Sequence, residues 1–146
     1  MISKRASGWL QVMVLAAGFS LSGCAVQWAR EHPLYCLESE KTFVRDALYF
    51  GLSIPGGGEI SAGDWKRFET DVVSAAFPQG FTVLDSHGTW RGDNGETVAE
   101  PGHIIVILHE DDSRSAAAIR DIADRYRTMF HQEAVLRERS TVCASF

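Results

Sequence analysis

Residues 47–54 alternate strictly: Leu48, Phe50 and Leu52 fall on one side of an extended chain, and Tyr49, Gly51 and Ser53 on the other. This period of two predicts a strand with one apolar and one mixed face, ended by Pro55-Gly56-Gly57-Gly58. The period then changes. Ser61, with Asp64 three positions on, has the form of a capping pair, and Trp65, Phe68, Val72 and Ala75 or Ala76 recur as one stripe of a helix. Phe77-Pro78-Gln79-Gly80 stops it. Phe81 to about Trp90 predicts a second strand with a kink or bulge at Gly88, and Asp93-Asn94-Gly95 is a turn signal. A third strand, about His103 to His109, is so dense in Ile and Val that a central place in the sheet is expected. Asp111, Asp112 and Ser113 offer caps to a second helix, whose stripe is Ile119, Ile122, Ala123, Tyr126, Met129 and Phe130. A last strand follows from about Ala134 to Cys143.

Strand, helix, strand, strand, helix, strand is the order of the ferredoxin-like α+β arrangement, βαββαβ, with two helices on one face of an antiparallel sheet. A single domain over residues 45–146 is expected, with the last strand beside the first. Residues 24–44 read as a tether, broken at His32-Pro33, whose second half (Leu34, Tyr35, Cys36) is expected to pack on the domain together with Trp28. If Ile104, Val106 and Leu108 point to the helices, Ile105 and Ile107 point away, near Tyr49. That face would be more apolar than a solvated sheet face usually is. It therefore needs a cover: the tether, a second copy of the chain, a partner or a small apolar ligand. Tyr49, Ile105 and Ile107 thus mark a candidate binding face. Trp90 and Arg91 make a second contact patch, unless the arginine simply lies over a packed tryptophan.

The first 24 residues follow a different pattern. Lys4 and Arg5 precede an uncharged segment whose dense apolar core, about Trp9 to Phe19, has the length of a secretory signal and not of a membrane span. It ends in Leu21-Ser22-Gly23-Cys24, which resembles the lipobox of bacterial lipoproteins. The resemblance implies acylation of the Cys24 thiol, removal of residues 1–23 and Cys24 as the new N-terminus. Two or three acyl chains, at about 0.8 kcal/mol per buried methylene, hold a protein on a membrane where one does not. Ala25, in place of the aspartate associated with inner-membrane retention, implies the outer membrane, facing the periplasm, in a diderm bacterium.

Removal of that signal leaves 123 of the 146 residues, with 12 basic against 19 acidic side chains, a net charge of −7. One core can be built from such a length. The charge argues against nucleic acid and anionic lipid surfaces as partners. Beside Cys24 there remain Cys36 and Cys143. In an exported protein a disulfide between them is expected, because the fold brings the end of the last strand to the start of the first. The alternative is two buried thiols.

Several segments together carry a family resemblance: Leu48-Tyr49-Phe50-Gly51-Leu52, Trp65-x-x-Phe68, Phe77-Pro78-x-Gly80-Phe81-Thr82-Val83-Leu84-Asp85, Gly88-x-Trp90-Arg91, and Gln132-Glu133-Ala134-Val135-Leu136-Arg137 down to Cys143-x-x-Phe146. Over roughly residues 44–146 the chain resembles the bacterial family called domain of unknown function 3574, often short exported proteins. The resemblance implies no activity, because none is assigned to the family.

The residues themselves offer little catalytic chemistry. Gly51-Leu52-Ser53-Ile54-Pro55 lacks the second glycine of a nucleophile elbow. The run Gly56-Gly57-Gly58 lies where a phosphate could bind, but it has no lysine and is followed by Glu59. His103 and His109 stand about 20 Å apart along one strand, too far for one metal. His109-Glu110-Asp111-Asp112 is explained by capping. No metal, cofactor or catalytic residue is assigned. The expectation is a lipid-anchored binding or interaction module. A dimeric α+β barrel-like protein that encloses a ligand or works as an enzyme is the first alternative, and a structural envelope lipoprotein the second.

Overall fold

The computed structural model describes residues 35–91 and 94–146. The signal segment, Cys24, Trp28 and Leu34 lie outside the described residues, as does Asp93 of the turn signal. Six elements of regular structure follow in the expected order. Strand β1 spans Lys41–Gly51. Helix α1, Ala62–Phe68, runs without a break into a π-helical turn, Glu69–Ser74. Strands β2 (Thr82–Arg91) and β3 (Thr97–His109) form a hairpin, and helix α2 (Ser113–Phe130) leads to β4 (Leu136–Ala144). All pairings are antiparallel, and the sheet order is β2-β3-β1-β4. This is the ferredoxin-like α+β arrangement.

The caps are those the sequence offers. The Ser61 hydroxyl accepts from the Asp64 N–H, and the Asp112 carboxylate accepts from the Ser115 N–H at 2.8 Å, each meeting an otherwise unpaired donor of a first turn. The α1 stripe is altered by the π turn. One extra residue per turn carries both Val72 and Val73 to the core, so Ala76 and Phe77, and not Ala75, continue the buried side. In α2 the stripe holds at Ile119, Ile122 and Tyr126, whereas Met129 is exposed. Three successive left-handed residues, Gly56, Gly57 and Gly58, turn the chain between β1 and α1. Side chains rarely tolerate that conformation, so the glycines serve the turn.

The core lies between the helices and one sheet face. Phe50 sits at its centre, edge-on to Trp65, Phe68 and Tyr126 at 4.6–5.6 Å between centroids. Such contacts are worth about 0.5–1.5 kcal/mol per pair beyond burial. The register fixes which side of β3 joins this core. Leu48 is opposite Ile105 and Asp46 opposite Ile107, and opposite residues share a face. Ile105 and Ile107 are therefore fully buried against the helices. The expected parity is thus reversed, and the open face carries Tyr49 with Ile104, Val106 and Leu108. Every position from Ile104 to Leu108 is apolar, so alternation within β3 gives no direction.

Other boundaries also move. Lys41 to Val44, assigned to the tether, already belong to β1, and Thr97 to Gly102 already belong to β3. Gly88 is opposite Glu100 in an unbroken ladder, without a bulge. Cys36 and Cys143 are joined in a disulfide, with Cα atoms 5.3 Å apart. Thr42 stands opposite Cys143 in the β1–β4 ladder, so the bridge staples the incoming chain to the start of the sheet. Tyr35 does not pack on the domain. It is 86% exposed.

Candidate functional site

At the opposite end of the sheet from the disulfide, the open face is interrupted by a cleft of about 460 Å³. Its floor is the end of β1, Tyr49 to Gly51. One wall is the β2–β3 hairpin, with Ser86, Gly88, Trp90 and Glu100, and the other is the α2–β4 connection from Gln132 to Leu136. The strand alternation explains the assembly. Tyr49, Gly51, Gly88, Trp90, Glu100 and Leu136 all fall on the open face of the register. Two connections fasten the rim: Gln132 Nε2 donates to the Ser53 carbonyl at 2.7 Å, and the Tyr126 hydroxyl donates to the Gly51 carbonyl at 2.7 Å.

Glycine makes room for the charge in the cleft. Both carboxylate oxygens of Glu100 lie 2.6 Å from where a Cβ on Gly51 would stand. Only a residue without a side chain lets the carboxylate lie over the strand there. Glu100 accepts from the Ser53 N–H at 3.3 Å. Its negative charge is felt locally: burial first, and Glu100 second, push the Tyr126 phenol well above the ordinary tyrosine range. Tyr49 donates to Glu138 at 2.6 Å, and that bond, with burial, raises its phenol above the usual value. Trp90 is 42% exposed and presents its indole N–H to Glu133 at 3.4 Å.

The cleft thus joins Tyr49 and Trp90, two residues that sequence reasoning placed on separate patches. Arg91, on the opposite side of β2, is not part of it. Its guanidinium donates to the Gly95 carbonyl within the hairpin. Ile105 and Ile107 are in the core and leave the candidate face, for the reason of register given above. Glu100 was not identified from sequence, because Pro101-Gly102 interrupts the apolar run and ends the visible strand at His103.

Three other groups of polar side chains are built differently. Asp46, fully buried, receives Arg137 through both Nε (2.6 Å) and Nη2 (2.9 Å), and His109 Nε2 at 2.8 Å. His109 Nδ1 lies 2.7 Å from the Glu110 carbonyl. Burial by itself would raise the Asp46 carboxyl, but the bonds and charges of Arg137 and His109 outweigh it and hold the group below the ordinary aspartate value. His103 stacks on Trp65 at 4.3 Å, and its Nδ1 stands 3.0 Å from Asp85 without hydrogen-bond alignment. Among the described residues, Cys36, Glu40 and Cys143 offer ligand atoms within 4.8 Å of one another, but the two sulfurs are bonded to each other. The acidic run after His109 is occupied: Asp111 pairs with Arg139 and Asp112 caps α2. Among the described residues, no helix is long and apolar enough to cross a membrane.

Comparison with known proteins agrees with the fold and adds a family. Residues 45–146 match the family described as protein of unknown function (DUF3574). No curated protein matches the sequence. Among solved structures, a phage SAM lyase in complex with S-methyl-5'-thioadenosine is similar, with 13% identity and a TM-score of 0.55, covering 79% of this chain and 96% of that one. A phage SAM lyase in the apo state is similar at 14% identity and a TM-score of 0.54, covering 77% and 95% respectively. At such identities the likeness is one of fold.

Proposed function

This chain belongs to the DUF3574 family, and we propose that it is a lipid-anchored envelope protein whose folded domain is a binding module. The anchor is the acylated Cys24, read from the signal and lipobox pattern, and the membrane is the outer one, facing the periplasm. The working site is the cleft at the open end of the sheet. One observation carries this proposal: Tyr49, Trp90 and Leu136 converge with Glu100 on a concavity of about 460 Å³. A mainly apolar surface with polar groups converging on it, in that range of volume, is the usual form of a small-molecule site.

Native mass spectrometry of the full chain, released from its own membrane in detergent, tests this. A small molecule bound to the wild-type protein and absent from Trp90→Ala is the expected result. Equal retention by both would move the site elsewhere. Intact mass tests the anchor: an unmodified Cys24, or an uncut Met1, overturns it.

A second reading is favoured by the rest of the open face. Ile104, Val106 and Leu108 are only half-buried there, and Leu84 is 47% exposed. Two copies packed sheet to sheet would cover them and close the cleft into a chamber suited to a ligand carrier or an enzyme. S-methyl-5'-thioadenosine, the molecule named with the phage neighbour, is a suitable first compound to try in that case. A dimer that dissociates on Leu84→Glu supports pairing through this face, and a monomer at micromolar concentration excludes it.

A further inference from the structure

We propose that the cleft selects a small organic cation, an ammonium group carried on an apolar or aromatic body. This rests on the cleft being the binding site and deepens that proposal by naming the ligand class. The charges of the described lining have one sign. Among its described residues, Glu100 and Glu133 are acidic, and none is Lys, Arg or His. An anionic ligand would meet repulsion without a compensating cation among the described residues.

Glu100 is the recognition group. A carboxylate offers about four acceptor sites, and the bond that Glu100 makes is a long one to the Ser53 N–H. A half-buried anion held by a neutral backbone donor gains most from a charged donor, because charge-assisted bonds are roughly twice as strong as neutral ones. Gly51 leaves the space that keeps the carboxylate in place over the strand. Asp46, in the same sheet, shows what a carboxylate satisfied from within the chain looks like: a bidentate arginine and a histidine.

The aromatic residues complete the selection. The rings of Tyr49 and Trp90 line the same cleft, and an aromatic face attracts an ammonium group electrostatically, tryptophan most strongly. The Trp90 N–H is directed to Glu133, which fixes the ring by one edge. Leu136, Ile54 and Ala134 supply apolar surface for the body of the ligand.

The test uses three compounds of one shape on the full-length protein in detergent: phenethylamine, 2-phenylethanol and 3-phenylpropionate. Binding is followed by the indole N–H resonance of Trp90, assigned with Trp90→Phe. Phenethylamine should bind about tenfold tighter than the alcohol, as a charge-assisted bond plus a cation–π contact implies, and the acid should bind most weakly. Glu100→Gln, which keeps an acceptor for the Ser53 N–H, should bring the amine down to the alcohol. If alcohol and acid bind as well as the amine, the cation class is wrong and the cleft remains a binding site. If none of the three moves the Trp90 resonance at millimolar concentration, the cleft is not a site for such molecules and both proposals fall.

Discussion

One sheet holds two carboxylates, Asp46 and Glu100, that are treated in opposite ways. Midway along β1, Asp46 is buried and held by Arg137 and His109, while the Cys36–Cys143 bridge ties down the incoming chain where the strand begins. At the end where β1 finishes, Glu100 lies over a glycine, accepts a backbone N–H and borders open space. A charge removed from water must be matched by hydrogen bonds and counter-charge, or left where a ligand can match it. The first carboxylate is a fastening. The second is a site.

The contrast can be broken first at the fastening. Replacing both Cys36 and Cys143 by Ser removes a cross-link between residues 107 positions apart, and a loss of about 4 kcal/mol in urea unfolding is expected from loops of that size. Binding at the cleft should survive wherever the protein remains folded. Arg137→Met comes next. It leaves the Asp46 charge buried without its bidentate partner, and because the arginine is partly exposed the lower part of the range for broken buried pairs applies, about 3 kcal/mol. A loss under about 0.5 kcal/mol, the scatter of ordinary surface substitutions, would show that Asp46 is not the fastening described.

Acid sharpens the same point. The Asp46 carboxyl titrates below the ordinary aspartate value of 3.8, so between those two values the unfolded chain holds the extra proton. Its contribution is complete above 3.8 and is lost as pH falls through the lower, native value. Urea midpoints at pH 7, 5 and 3 should fall only in the last interval for this group, and Arg137→Met should flatten that fall. The smallest stability effect belongs to the site. Glu100→Gln should change stability by no more than about 0.5 kcal/mol, yet remove the preference for a cation. Gly51→Ala should act likewise, because its Cβ would displace the end of a flexible side chain and not backbone.

The fold was legible because its signals are local. Ser61 and Asp112 cap the helices they precede, and the apolar periods place six elements in the right order. The site was legible only in part. Tyr49 and Trp90 stood out as aromatics on strands, but their meeting depends on a register that sets Gly51 of β1 level with Gly102 and Ser86, so that the β2–β3 hairpin carrying Glu100 and Trp90 runs on past the end of β1. The choice of Ile105 and Ile107 failed for the same reason: a strand apolar on both faces hides its direction until its partner is known. Nothing local in the sequence marks Asp46, His109 and Arg137 as a group. Only a contact between residues 91 positions apart makes them a buried cluster.

Leu136 and Val142 lie on the same strand and the same face, one in the cleft and one at the fastened end. A photo-crosslinking residue introduced at each position in turn, in the native envelope, followed by intact mass spectrometry, tests the division of the sheet most directly. A small-molecule adduct from position 136 that is absent from position 142 is the predicted result. Adducts of equal yield at both positions, or capture only from position 142, would contradict it.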